Sequence, residues 1–152
     1  MANPEHVAIL KHGVDAWNRW REEHFEVEPD LINADLHRAG LAGANLRRAD
    51  LTVADLTEAD LAGANLGLAD LTQTDLPTAD LSGADLTGAY LGRADLTGAK
   101  LRRTNLAWAH LAGAILNHAD FAESTASSTV FGSDLSEARG LDKVRHQGPS
   151  SA

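Results

Sequence analysis

The residues best equipped for chemistry are acids, and they recur at a fixed interval. Asp35, Asp55, Asp75 and Asp95 stand 20 residues apart, and so do Asp30, Asp50 and Asp70. Paired carboxylates act as general acid and base only where a cleft raises one pKa and excludes water. Among the histidines, His6 and His12 are six apart and do not share a helical face as an i, i+4 ligand pair does. His110 and His118 lack an obvious third ligand, and Cys is absent, which removes thiolate metal sites and disulfides. No Ser-His-Asp spacing, nucleophile elbow, phosphate loop or GxGxxG occurs. The side chains therefore predict no catalytic residue, no metal and no cofactor. What they leave is recognition.

The element that must position these acids is a repeat. From Leu31 to Phe121 a large apolar residue stands at every fifth position, giving nineteen units without a slip. Two positions earlier sits Ala in sixteen units, the exceptions being Pro29, Thr74 and Thr104, and between the two lies Asp or Asn in fourteen. A period of five smears around a helix, which turns by about 100° per residue. On a flat strand it sends successive Leu side chains to opposite faces. The chain must turn within each unit, and Asp, Asn, Gly, Thr and Ser supply turn chemistry. A short fixed period marks a solenoid whose layers bury their apolar faces against one another. Four units per coil bring each Leu back to one axis, with Leu36, Leu56, Leu76, Leu96 and Phe121 filling the core. Ala54 and Ala94 fit where the backbone crowds at the corners. At about 4.8 Å per coil, nineteen units make a rod of roughly 24 Å.

The A(D/N)LXX register, literal at Ala84 to Gly88, resembles the pentapeptide-repeat family. The resemblance covers residues 29–123 and implies an all-β solenoid, a right-handed quadrilateral β-helix expected over 29–133. The nineteen units and a partial coil after them give about five to six coils. Some members of that family act as DNA mimics that bind DNA gyrase and so protect it from drugs or toxins.

Residues 1–28 are of another kind. Asn3-Pro4 reads as an N-cap followed by Pro in the first turn. Val7, Leu10, Val14 and Trp17 follow at helical spacing, with Ile9 and Trp20 on the flank. This predicts one amphipathic helix from Pro4 to Glu22 or His24 that covers the open end of the solenoid. Its polar face mixes Lys11, Arg19 and Arg21 with Asp15, Glu22 and Glu23, which does not suit a membrane surface. After Glu123 the repeat weakens. Ala126 replaces Leu, and Leu135 arrives one residue early. An irregular cap over 134–152 is expected, held by Leu135, Leu141 and Val144. The polar tail from His146 should be loosely held or run on as a linker.

Net charge is −9 at 152 residues, which argues against direct nucleic-acid binding and against an anionic membrane. No run of 18 apolar residues and no leader pattern appears, and the chain reads as cytoplasmic. Charge is uneven along the rod. Between Ala49 and Gly98 nine acids face one base, Arg93, while both flanks carry Arg or Lys. The expected function is a non-catalytic protein–protein interaction scaffold, monomeric or weakly dimeric. Its candidate partner-binding surface comprises Asp35, Asp55, Asp75, Asp95, Asp50, Asp70 and Trp108, with Leu68 beside Trp108. The alternative implied by the resemblance is a type II topoisomerase as partner, with the acidic block imitating DNA.

Overall fold

The structure is a computed structural model that describes residues 1–145. From Pro29 on, the chain makes a β-turn in every unit. In the first, the Ala34 N–H donates to the Leu31 carbonyl at 3.0 Å, and Asn33 at the third turn position has φ 58°. A positive φ at that position is what a type II turn demands. The same position recurs every five residues through Ser128 and is held by six glycines and fourteen other residues, Val53 and Trp108 among them. Coils stack by parallel pairing of residues 20 apart, as in Asp35↔Asp55↔Asp75↔Asp95. Three backbone bonds per unit join successive coils: Leu31 N–H to Asp50 O, Asn33 N–H to Thr52 O, and Asp50 N–H to Pro29 O. Four five-residue sides thus close each coil, and the backbone groups of the faces point along the rod and pair there.

Inside lie Leu36, Leu56, Leu76 and Leu96 with Ala54 and Ala94, all at most 1% exposed. Each buried Leu contributes roughly 1.5–3 kcal/mol of transfer free energy. The two Thr residues in the small position are also fully buried. Thr74 donates its hydroxyl to Leu51 O and Thr104 to Leu81 O, both at 2.8 Å. A hydroxyl is tolerated there because a Leu carbonyl of the coil below has a second lone pair free. Phe121 meets Phe131 edge-on at 6.1 Å, and the small Ala126 between them in sequence leaves room for both rings.

The N-terminal segment differs from the single expected helix. It forms α1 (Pro4–His12) and α2 (Val14–Glu23), separated by Gly13 at φ 130°. Gly is the residue that adopts this angle cheaply, and the break lets both Leu10 and Trp17 reach the core, at 2% and 0% exposed. Val7 and Val14 are half-buried against it. Arg21, expected on a solvated polar face, is instead buried. It donates to the carbonyls of Val27, His24 and Arg47, and burial draws its pKa below the usual arginine value. Trp17 Nε1 donates to Asn45 O at 2.8 Å, Asn18 bonds Gly43 O and Asn45 N–H, and His6 Nδ1 accepts from Asp30 N–H at 3.0 Å. The first coil has no coil below it, and these side chains take up edge groups that would otherwise lack partners.

The far end also departs from expectation. In place of an irregular cap from residue 134, pairing continues through Asp120↔Arg139 and Thr125↔Arg145. The turn after Phe131 is one residue short, so the first of these pairs is 19 apart. Gly140 then passes under Ala122, where an added Cβ would come within 2.6 Å of its nitrogen, and the 3-10 turn Leu141–Lys143 restores the interval of 20. Leu135, Leu141 and Val144 pack half-buried on the core. The tail from His146 lies outside the described residues.

Candidate functional site

Stacking at 20 residues sorts the outward side chains onto four faces. The first carries Asp30, Asp50, Asp70, Tyr90, His110 and Val130, and the second Asp35, Asp55, Asp75, Asp95 and Ile115. Carboxylates on successive rungs sit about 4.8 Å apart. At that distance two charges repel by about 0.9 kcal/mol in water. The turns outweigh this cost. Asp50, Asp55, Asp70 and Asp95 each accept, through Oδ1, the N–H two residues on, at 2.9–3.0 Å. An N–H bond to a charged acceptor contributes about 1.5–3 kcal/mol. Asn45, Asn65 and Asn105 do the same without charge. Most of the acidic pattern is therefore turn chemistry, and only the second carboxylate oxygen faces outward.

Asp75 departs from this arrangement. Two residues on stands Pro77, which has no N–H to give, and Asp75 is exposed. Its neighbour Asp55 is held by Thr57, whose hydrogen bonds keep the carboxyl below its ordinary value of 3.8. On the next face, that of Gly40, Asp60, Asp80, Lys100 and Asp120, partial burial of Asp80 works the other way, but bonds from Ser82 and Lys100 outweigh it and the carboxyl is also lowered.

Most of the bases that flank the acidic block are spent on acids one coil away. Arg38 forms a fork with Glu58 at 2.8 and 3.1 Å, and Lys100 pairs with Asp80 at 3.1 Å. Arg102 pairs with Asp120 at 3.2 Å and Arg103 with Glu123 at 3.1 Å. Exposed pairs of this kind contribute about 0–1 kcal/mol each. They blunt the basic ends and leave Asp50, Asp55, Asp70, Asp75 and Asp95 outside any ion pair among the described residues.

The expected site residues therefore fall into two groups. Asp35, Asp55, Asp75 and Asp95 share the second face. Asp50 and Asp70 lie on the first, where they continue into Tyr90, stacked on His110 with ring centroids 5.2 Å apart and planes 10° apart. Trp108 sits at the corner that opens onto the first face, in one column with Leu68 and Gly88. A shallow groove lined by Leu68, Asp50, Asp70 and Tyr90, with Arg48 and Glu28 at its rim, joins that corner to the face. Neither Tyr90 nor Val130 belongs to the binding surface expected from the sequence, which weighs His110 only as a metal ligand. The available signal was that they stand in the Asp/Asn position, where their side chains cannot hold the turn.

The chain belongs to the pentapeptide-repeat family. Its segments 30–67, 54–93, 64–103, 89–125 and 101–139 match the family model for pentapeptide repeats. Among solved structures it is similar to HetL, a pentapeptide-repeat protein involved in heterocyst differentiation regulation in the cyanobacterium Nostoc sp. strain PCC 7120. Identity is 35% and TM-score 0.69, over 76% of this chain and 53% of HetL. The chain therefore spans about half the length of that relative. A second Nostoc pentapeptide-repeat protein, alr5209, is 32% identical at TM-score 0.61, over 68% of this chain and 84% of its own. Rfr23 from the cyanobacterium Cyanothece 51142 is 32% identical at TM-score 0.50, over 80% of this chain and 67% of its own. No match to a curated protein sequence was found. Among the described residues no helix is long and apolar enough to cross a membrane.

Proposed function

We infer that this chain is a non-catalytic protein-binding scaffold, a right-handed quadrilateral rod of five to six coils that presents fixed columns of side chains to a protein partner. The observation that carries the reading is the ladder itself. Backbone bonds of 2.7–3.3 Å between coils hold outward residues at a constant rung spacing, so the rod displays a pattern without backbone ordering cost at binding. The unpaired carboxylates of Asp55, Asp75 and Asp95 give the second face a negative field suited to steering a basic partner.

The test is affinity capture from lysate of the native host, with wild type beside a variant carrying Asp55→Asn, Asp75→Asn and Asp95→Asn. Asn keeps the turn acceptor at Asp55 and Asp95, so the variant should fold. A polypeptide retained by wild type at constant stoichiometry is the expected outcome, with slower association to the variant. Retention of nothing specific by either protein would sink the scaffold reading.

A further inference from the structure

The first face is built at a cost that its fold does not require. Tyr90 and His110 stand where an Asp or Asn would bond the turn amides of Gly92 and Ala112; a phenol oxygen lies too far out to reach, and the His110 ring, stacked on Tyr90, makes no such bond. Trp108 and Leu68 hold left-handed backbone at φ 63° and 59°, a conformation that is uncommon and strained for bulky side chains. All this apolar surface faces solvent, with Trp108 61%, Tyr90 50%, Val130 47% and Leu68 42% exposed. Strain and forfeited turn bonds retained around an exposed aromatic cluster point to a binding surface.

We propose that this face is the docking strip for an amphipathic helix of a partner protein, with apolar side chains over Tyr90 and Trp108 and Lys or Arg over Asp70 and Asp50. This rests on the scaffold reading and names the partner's chemistry. Two observations select the occupant. The backbone groups of the face are consumed along the rod, so a partner strand finds no free edge to extend, and recognition must run through side chains as on a helix laid lengthwise. The charge that Asp50 and Asp70 leave unpaired is also of one sign. Asp50 and Asp70 have no ion-pair partner among the described residues, and the nearby Arg48 is 3.8 Å from Glu28. From Asp50 to Val130 is four rungs, about 19 Å, the length of roughly 13 helical residues. The Leu68 side chain folds over Gly88, where an added Cβ would meet its Cδ2 at 2.8 Å, and extends the apolar surface along the strip.

The experiment displays a library of random helical peptides about 16 residues long against the full chain. Selected peptides should place apolar residues at one end and Lys or Arg at the other. Tyr90→Asn with Trp108→Gly should cost about 30-fold or more in affinity, with a melting temperature equal to or above that of wild type, because both changes restore the repeat's own turn residues. Asp50→Asn with Asp70→Asn should weaken binding and flatten its salt dependence. Peptides lacking this pattern, or full binding by the Tyr90/Trp108 variant, would overturn the proposal. If that variant also retains the native partner from lysate, the scaffold reading stands and the strip alone falls.

Discussion

The first and second faces share one backbone, one ladder and one Leu axis, yet they carry different surfaces. On the second, acids run from Asp35 to Asp95 and mostly serve their own turns. On the first, acids give way at Tyr90 to rings that serve no turn. The difference separates two kinds of sequence signal. A residue that satisfies the repeat is explained by folding, and a residue that breaks it while exposed asks for another explanation.

If the faces differ only outside, the core beneath them must be equivalent. Leu71→Ala, under the first face, and Leu76→Ala, under the second, should each cost about 2–5 kcal/mol in chemical denaturation and agree within about 1 kcal/mol. A much smaller loss at Leu71 would mean that the aromatic face is packed differently throughout.

A sharper contrast lies within the second face. Asp55→Ala removes the acceptor for Thr57 N–H and should cost about 1 kcal/mol after relief of repulsion between rungs. Asp75→Ala, two residues before Pro77, forfeits no turn bond and relieves repulsion from Asp55 and Asp95, so it should be neutral to stabilising by about 1 kcal/mol. Equal losses would show that these acids act through charge and not through their turns.

On the margin of the first face, Val53 holds φ 60°, which suits a β-branched residue poorly. Val53→Asn should stabilise by about 0.5–1 kcal/mol by thermal unfolding. The same measurement on Gln73→Asn should give a smaller gain.

The smallest effect is on pH dependence. Thr57 holds the folded Asp55 carboxyl below 3.8, so its contribution is complete above that value and drains away as pH falls through the lower folded pKa. Stability followed from pH 5 to 2.5, a window about the ordinary carboxylate range, should therefore fall less steeply for Asp55→Asn than for wild type.

The rod was legible because a period of five admits few solutions. The spacing of Leu31 to Phe121 and the small residue two places earlier dictate turn, axis and stacking together. Less visible was anything that depends on one residue meeting another element. Arg21 reads as a surface base until unpaired carbonyls of the first coil and linker are placed beside it. Gly13 looks permissible inside a helix, yet two buried anchors, Leu10 and Trp17, are served by breaking there. The early arrival of Leu135 marks the short turn after Phe131, but no periodic signal marks its compensation by the 3-10 turn Leu141–Lys143. For the candidate site, the sequence showed Asp50, Asp70 and Trp108 but not that the corner bearing Trp108 and Leu68 opens onto the face of Tyr90. That adjacency appears only once the coils are stacked.

The central claim is that the rod binds a protein along one of its faces. Hydrogen exchange of the full chain, free and saturated with the partner captured from lysate, tests it most directly. The account predicts added protection at the turn amides of the first face that the ladder leaves free, those of Gly92 and Ala112, with the interior ladder unchanged. Protection confined to α1 and α2, or to the coil ending at Arg145, would contradict it and make the ends of the rod the binding elements.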